Sequence, residues 1–301
     1  MSRFTRWTLQ SVAMFTILAG TTLVNGTTRN VPNQYPNLQA AINASAQYDA
    51  ISINATYTDP GFNVTKPDLR IYGNGSQFTV TMTGLAQISN SVSFTNLYFT
   101  NNNNTRDLFQ INPGKWYVSF ESCLLNQGGN SLKSCIYDRG SYDLYVHNTT
   151  LLSAGYGIYA GNATLVRPLT SNFLWINRPI YYYCTATSNL YPASGPTLSI
   201  ASCGFTMTST TNGYCARAAF PNLPNNGSPG SVYAYNSNFS AYGSGSVPIA
   251  LAGHCGADIT YNTFYACPVP PGKEWSKTST DYVNANNNTA VSGSNCTPGP
   301  Y

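Results

Sequence analysis

The sequence predicts an all-β fold, a single chain wound as a parallel β-helix of about eight coils. Three observations carry that expectation. An eight-residue pattern recurs along the chain, its apolar positions alternate with period two, and its copies lie about two dozen residues apart.

The pattern reads apolar, any, apolar, any, Asn-like, any, any, apolar. It occurs as VSFTNLYF at 92, VSFESCLL at 118, LYVHNTTL at 144 and FLWINRPI at 173. LSIASCGF at 198, VYAYNSNF at 232 and ADITYNTF at 257 follow, and a worn copy, LRIYGNGS, stands at 69. The steps are 23, 26, 26, 29, 25, 34 and 25 residues. Self-similarity on this scale marks a repeat architecture. Period-two alternation makes each copy a strand and not a helix. A step of about 25 residues is too short for a strand plus a covering helix. It has room for three short strands and their bends, each coil pairing with the next at about 4.8 Å.

The fifth position holds Asn96, Ser122, Asn148, Asn177, Ser202 and Asn236. A tight bend needs a residue that tolerates the left-handed conformation, which Asn does well. Stacked Asn side chains there form a coil-to-coil ladder, so Asn148 is expected to be buried and to carry no glycan.

Composition narrows the function. Charged residues make up 8% of the chain, against about 25% in ordinary soluble domains, while 23 tyrosines and 13 phenylalanines are present. The net charge of +4 is spread out, with no Lys/Arg run, which argues against a nucleic-acid partner. Residues 1–26, MSRFTRWTLQSVAMFTILAGTTLVNG, read as a secretory signal peptide with Val24 and Gly26 at the −3 and −1 positions of the cleavage site. Its apolar core is shorter than the roughly 20 residues of a membrane span. No later segment could span a bilayer, and the polar end GSNCTPGPY is no GPI signal. The expected organisation is a signal peptide over 1–26, a β-helix domain over 27–268 and an irregular tail over 269–301.

Secretion fits twelve Asn-x-Ser/Thr sequons. Glycans are expected at Asn43, Asn54, Asn63, Asn103, Asn162, Asn226 and Asn287. Eight cysteines suit disulfides in an oxidising compartment. Cys123/Cys135, Cys203/Cys215 and Cys255/Cys267 share a separation of twelve residues and are the first choice of bridges among many pairings. That leaves Cys184 and Cys296. No CxxC spacing suggests a zinc or redox site, and no metal or cofactor is expected.

The stretch NVPNQYPNLQAAINASAQYDAISINATYTDPGFNVTKPDLRIYGNG resembles the opening of pectin-lyase-like right-handed β-helix proteins. There a short amphipathic helix caps the coil and a Gly-Thr-Tyr-like turn and Gly-rich strand end follow. The resemblance implies a right-handed helix, carbohydrate substrates, and a capping helix from Leu38 to Ala46 with Leu38, Ala41 and Ile42 over the open core. A cap is physically needed because an end coil exposes unpaired backbone edges.

The catalytic sets of that superfamily are incomplete here. Of the galacturonan-hydrolase motifs only Gly253-His254-Cys255-Gly256 partly matches, with no Asn-Thr-Asp and no Asp-Asp. The pectin-methylesterase motifs are missing, and Arg167-Pro168 and Arg178-Pro179 lack the second arginine of the pectate-lyase setting. Ten scattered acidic residues make a dense calcium site a poor expectation.

The repeat register places candidates instead. At the outward fourth position Glu121 and His147 are neighbours on adjacent coils, beside Tyr145, a workable acid/base pair. The strand preceding each copy puts Tyr137, Tyr159 and Tyr181 outward at equal steps of 22, near Gln110, Arg139, Tyr183, Arg217 and His254. Such a tyrosine row is a platform for sugar rings, although outward aromatics also stack simply to stabilise coils. His254 with Asp258, and Asp138 with Arg139, are weaker catalytic candidates. The leading expectation is a secreted glycoprotein that binds extracellular or cell-wall polysaccharide through Tyr137, Tyr159, Tyr181, Tyr183 and Arg217 without turnover. The alternatives are a divergent polysaccharide lyase or glycoside hydrolase, and a structural cell-surface or adhesin component.

Overall fold

The computed structural model describes residues 26–101, 105–114, 116–185, 195–207, 213–220, 230–241, 246–253, 255–265 and 282–290. They form a parallel β-helix whose coils present three faces. The first face is an eleven-stranded parallel sheet, so the solenoid has more coils than the eight legible copies. The extra strands are Thr28–Val31, Ala50–Ile53 and Tyr282–Asn284. Tyr282–Asn284 pairs with Cys255–Thr260, and Thr289–Ala290 with Thr263–Tyr265. The coil therefore continues into the segment expected to be an irregular tail. The signal-peptide residues 1–25 lie outside the described residues.

The repeat register on the first face runs Leu69, Val92, Val118, Leu144, Val166, Leu198, Val232 and Ala257. Phe94, Phe120 and Val146 stand in one inward column, continued by Pro168. One copy is corrected. The strand after Asp143–His147 is Leu165–Leu169, not FLWINRPI, so Thr170 takes the bend assigned to Asn177 and Leu169 the outward place assigned to Ile176. Phe173 belongs to the second face, paired with Leu151 and Phe205.

From Asn96 onward, each bend between the first and second faces turns on one residue with φ between 47° and 58°. These are Asn96, Ser122, Asn148, Thr170, Ser202, Asn236, Tyr261 and Asn287. The Asn ladder exists, but on the outside. Asn148 Nδ2 donates to Ser122 Oγ at 3.0 Å, and Asn148 is exposed. A left-handed residue at a convex corner points its side chain outward, so burial does not bar a glycan from Asn148.

The following residue points inward and is usually small and polar: Cys123, Thr149, Ser171, Cys203, Ser237 and Asn262. Each side chain reaches back to backbone carbonyls at the bend, as Thr149 Oγ1 does to Phe120 O and His147 O. It also accepts the N–H of the coil before, as Thr149 Oγ1 does from Cys123 N and Asn262 Oδ1 from Ser237 N. Buried backbone polar groups need such partners.

The cysteine pairing is corrected by the same geometry. Cys123 and Cys203 stand at this corner, whereas Cys135 and Cys215 begin the strands of the third face. Cys123 Sγ is 3.4 Å from Glu121 O, and Cys135 Sγ is 3.4 Å from Leu125 O. Cys123/Cys135 and Cys203/Cys215 are unbridged, buried thiols. Burial pushes the Cys123, Cys135 and Cys203 thiols up to about 12. Cys255 is buried on a first-face strand, while Cys267 lies outside the described residues.

The capping helix spans Leu38–Ala44, and Leu38, Ala41 and Ile42 are buried beneath it. Asn37 Oδ1 accepts from Ala40 N at 2.9 Å, and buried Asp59 Oδ2 accepts from Leu38 N at 2.9 Å, covering two of the helix's free amides. No helix among the described residues is long and apolar enough to cross a membrane.

The second face carries a continuous column of stacked rings. Phe173, Phe205, Phe239 and Phe264 follow one another with ring centroids 4.8, 4.7 and 5.5 Å apart. Phe205 is packed on both sides, so Phe205→Ala is expected to cost about 3–5 kcal/mol, measured by urea unfolding. A loss under about 1 kcal/mol would be incompatible with a packed column.

Candidate functional site

The third face is built from the strands expected for it, Phe109–Ile111 and the ends of Leu124–Asp138 and Thr150–Gly161, then Arg178–Tyr183, Tyr214–Phe220 and Val247–Gly253. Its outward column runs Gln110, Tyr137, Tyr159, Tyr181, Arg217. Ring centroids are 5.2 Å apart for Tyr137–Tyr159 and 5.0 Å for Tyr159–Tyr181. Tyr183 lies parallel to Tyr181 at 6.3 Å.

A second column adds residues the alternation did not reveal: Tyr156, Arg178 and Tyr214. Tyr156 and Arg178 are register partners, and Tyr156 packs edge-on to Tyr159 at 5.2 Å. On the Tyr156 strand the reason is Gly157. A Cβ there would come within 2.6 Å of Pro179 O and 2.8 Å of the Phe173 ring, so Gly157 is pressed against the interior. Ile158 is buried too. Two consecutive inward residues break the alternation, and Tyr156 emerges on the same surface as Tyr159. The spacing of three before Tyr159, Tyr181 and Arg217 was the available signal.

Both guanidinium groups lie on this pavement. Arg178 Cζ is 5.5 Å from the Tyr156 centroid and 5.8 Å from Tyr214. Arg217 Cζ is 5.5 Å from Tyr181 and 5.8 Å from Tyr214. Arg178 Nη1 donates to Tyr156 Oη at 2.6 Å. Among the described residues, the ion pairs involve Arg29, Arg167 and His147, and neither Arg178 nor Arg217. Burial, then the neighbouring phenols, raise the Tyr159 hydroxyl above its ordinary value, so Tyr159 stays a neutral hydroxyl on this face.

The acid/base candidates fare differently. Glu121 and His147 are register partners on the first face, with Oε1 3.6 Å from Nδ1. Tyr145 stacks on His147 at 5.7 Å and carries Arg167 over its ring, itself paired with Asp143. This cluster and the tyrosine pavement occupy different faces. Asp138 is corrected. Its column partners are Ile111 and Ala160, it is fully buried, and it accepts from the N–H groups of Gly140 and Ser141 at 3.0 and 2.8 Å. That carboxyl holds a turn and meets no solvent, while Arg139 faces outward. Asp258 pairs with Tyr233 and accepts from Asn284 at 3.3 Å; its proposed partner His254 lies outside the described residues.

Of the glycan candidates, Asn43, Asn162 and Asn287 are exposed. Asn54 and Asn63 are half-buried and hydrogen-bonded, to Asn30 and Ser89 respectively. Asn103 and Asn226 lie outside the described residues. Among the described residues no group of three or more His, Cys, Asp or Glu side chains could hold a metal ion.

Compared with known proteins, the chain matches no family model, no curated protein and no solved structure.

Burial raises the Asp138 carboxyl, with the Ser141 and Gly140 hydrogen bonds pulling the other way. A carboxyl raised by folding favours the fold while protonated. Its contribution is complete below the unfolded value and lost as pH climbs through the folded one. Asp138→Asn is expected to flatten the fall in stability above about pH 4, read by urea unfolding at stepped pH. A slope equal to that of the unmutated protein would exclude Asp138 as its source.

Proposed function

We propose that this protein is a secreted glycoprotein whose third face binds extracellular or cell-wall polysaccharide without turning it over. The observation that carries the reading is the pavement itself: tyrosines in register on successive coils, with two guanidinium groups that no carboxylate among the described residues neutralises. Sugar C–H faces stack on the rings. Ring hydroxyls and carboxylates accept from the guanidinium N–H edges, which suits glycans carrying acidic groups. One ring per coil gives a chain lying along the solenoid repeated contacts at a regular interval. The β-helix architecture also supports placing the chain among pectin-lyase-like proteins, the source of the carbohydrate expectation.

The experiment is polysaccharide retention with Tyr137, Tyr159 and Tyr181 all changed to Ala. Each ring contributes about 0.5–1.5 kcal/mol of stacking, so affinity is expected to fall about tenfold or more. Retention unchanged in the folded triple variant removes this face.

The Glu121–His147 contact favours a second reading, a divergent lyase or glycoside hydrolase on the first face. It requires reducing-end or unsaturated-product release that Glu121→Gln and His147→Gln each abolish. A panel of uronate and neutral glycans yielding no product disposes of it. Absence of any glycan binding would favour a structural coat or adhesin role.

A further inference from the structure

Between the second and third faces the chain bends at Ser153 on one coil and at Trp175 on the next. The two occupy one station: Leu152 pairs with Leu174 before the bend and Tyr156 with Arg178 after it. Both are left-handed, with φ of 56° and 54°. Toward the following coil, Leu174 faces Thr206 and Ile176 faces Met207, so Trp175 is the extra residue of a bulge. Bulges re-aim side chains, and this one delivers an indole that is 61% exposed.

The bend alone does not ask for tryptophan. Ser153 makes it with a small polar side chain, whereas a bulky residue at positive φ is an outlier. The indole stands mostly in water, so core packing does not account for a ring this large at the bend. Trp175 stands three residues before Arg178, within about 10 Å along the backbone. It borders the pavement on the side away from the Tyr137–Tyr159–Tyr181 column. A linear chain following that column along the solenoid would not meet it; a substituent projecting sideways over Arg178 would.

Resting on the glycan-binding reading of the third face, we infer that Trp175 is a lateral stacking position for side branches of the bound polysaccharide. The protein then distinguishes branched from linear chains of the same backbone. Arg178, between column and indole, supplies N–H donors to the branch.

The test measures affinity for matched pairs: cellulose-type glucan with and without xylosyl branches, mannan with and without galactosyl branches, and xylan with and without glucuronosyl branches. The unmutated protein should prefer the branched member of at least one pair about three- to tenfold. Trp175→Ser, which copies the Ser153 station and so preserves the bend, should bind both members equally while keeping the affinity for the linear one. A preference that survives Trp175→Ser, a parallel loss of linear and branched binding, or no preference at all would overturn the inference. If the tyrosine triple variant loses binding while Trp175→Ser matches the unmutated protein throughout, the face stands and only the branch position falls. If the unmutated protein retains no glycan, or the triple variant retains all of them, both readings fall together.

Discussion

In-register parallel pairing between coils governs everything else in this molecule. Once Val92, Val118 and Leu144 are vertical neighbours, a residue's surroundings are set by its station and not by its sequence neighbours. Inward stations become core columns, such as the phenylalanine stack on the second face. Outward stations become surface rows, such as Tyr137, Tyr159 and Tyr181. The same ladder disciplines the bends. Thr170 and Tyr261 adopt a left-handed conformation that neither residue favours, because the strands on both sides fix the path. The inward corner residues then satisfy the backbone groups that each bend removes from the ladder.

Legibility in the sequence followed how well a station tolerates substitution. The first-face strands were readable because their inward positions demand aliphatic or aromatic side chains. The copy at 166 was hidden by Pro168, which fills the column but has no N–H to donate. Pairing toward the next coil accordingly runs through Leu165, Val166 and Leu169. Asn177 offered a better-looking fifth position seven residues later. The tyrosine row was visible through its equal steps of 22. Tyr156, Arg178 and Tyr214 were not, since period-two counting assumes an unbroken strand and two consecutive inward residues interrupt each one, Gly157-Ile158, Pro179-Ile180 and Cys215-Ala216.

The cysteines show how a solenoid can mislead. Cys123 and Cys203 share the polar corner, and Cys135 and Cys215 share the opening of the third-face strand. The interval between two fixed stations recurs from coil to coil, so an equal separation reports the winding and not a bond. The same reasoning corrects Asp138, whose neighbour Arg139 is outward while the carboxyl itself lies in an inward column.

Charge distinguishes the faces more sharply than shape does. Arg167 lies over Tyr145 as Arg217 lies over Tyr181, but Arg167 is also paired with Asp143. The first face thus contains its own counter-charge. On the third face the rings hold the guanidinium groups through contacts of about 0.5–1 kcal/mol each at exposed sites, and the remaining hydrogen-bonding capacity faces water. A cation held flat on an aromatic ring keeps its N–H edge available, because the ring occupies its face and not its donors. With only 8% of the chain charged, two such groups on one aromatic surface form a pre-positioned donor set. Arg178 donates to the phenol of Tyr156, and among the described residues neither guanidinium is in an ion pair, so an incoming ligand bearing hydroxyls or carboxylates breaks no ion pair among them.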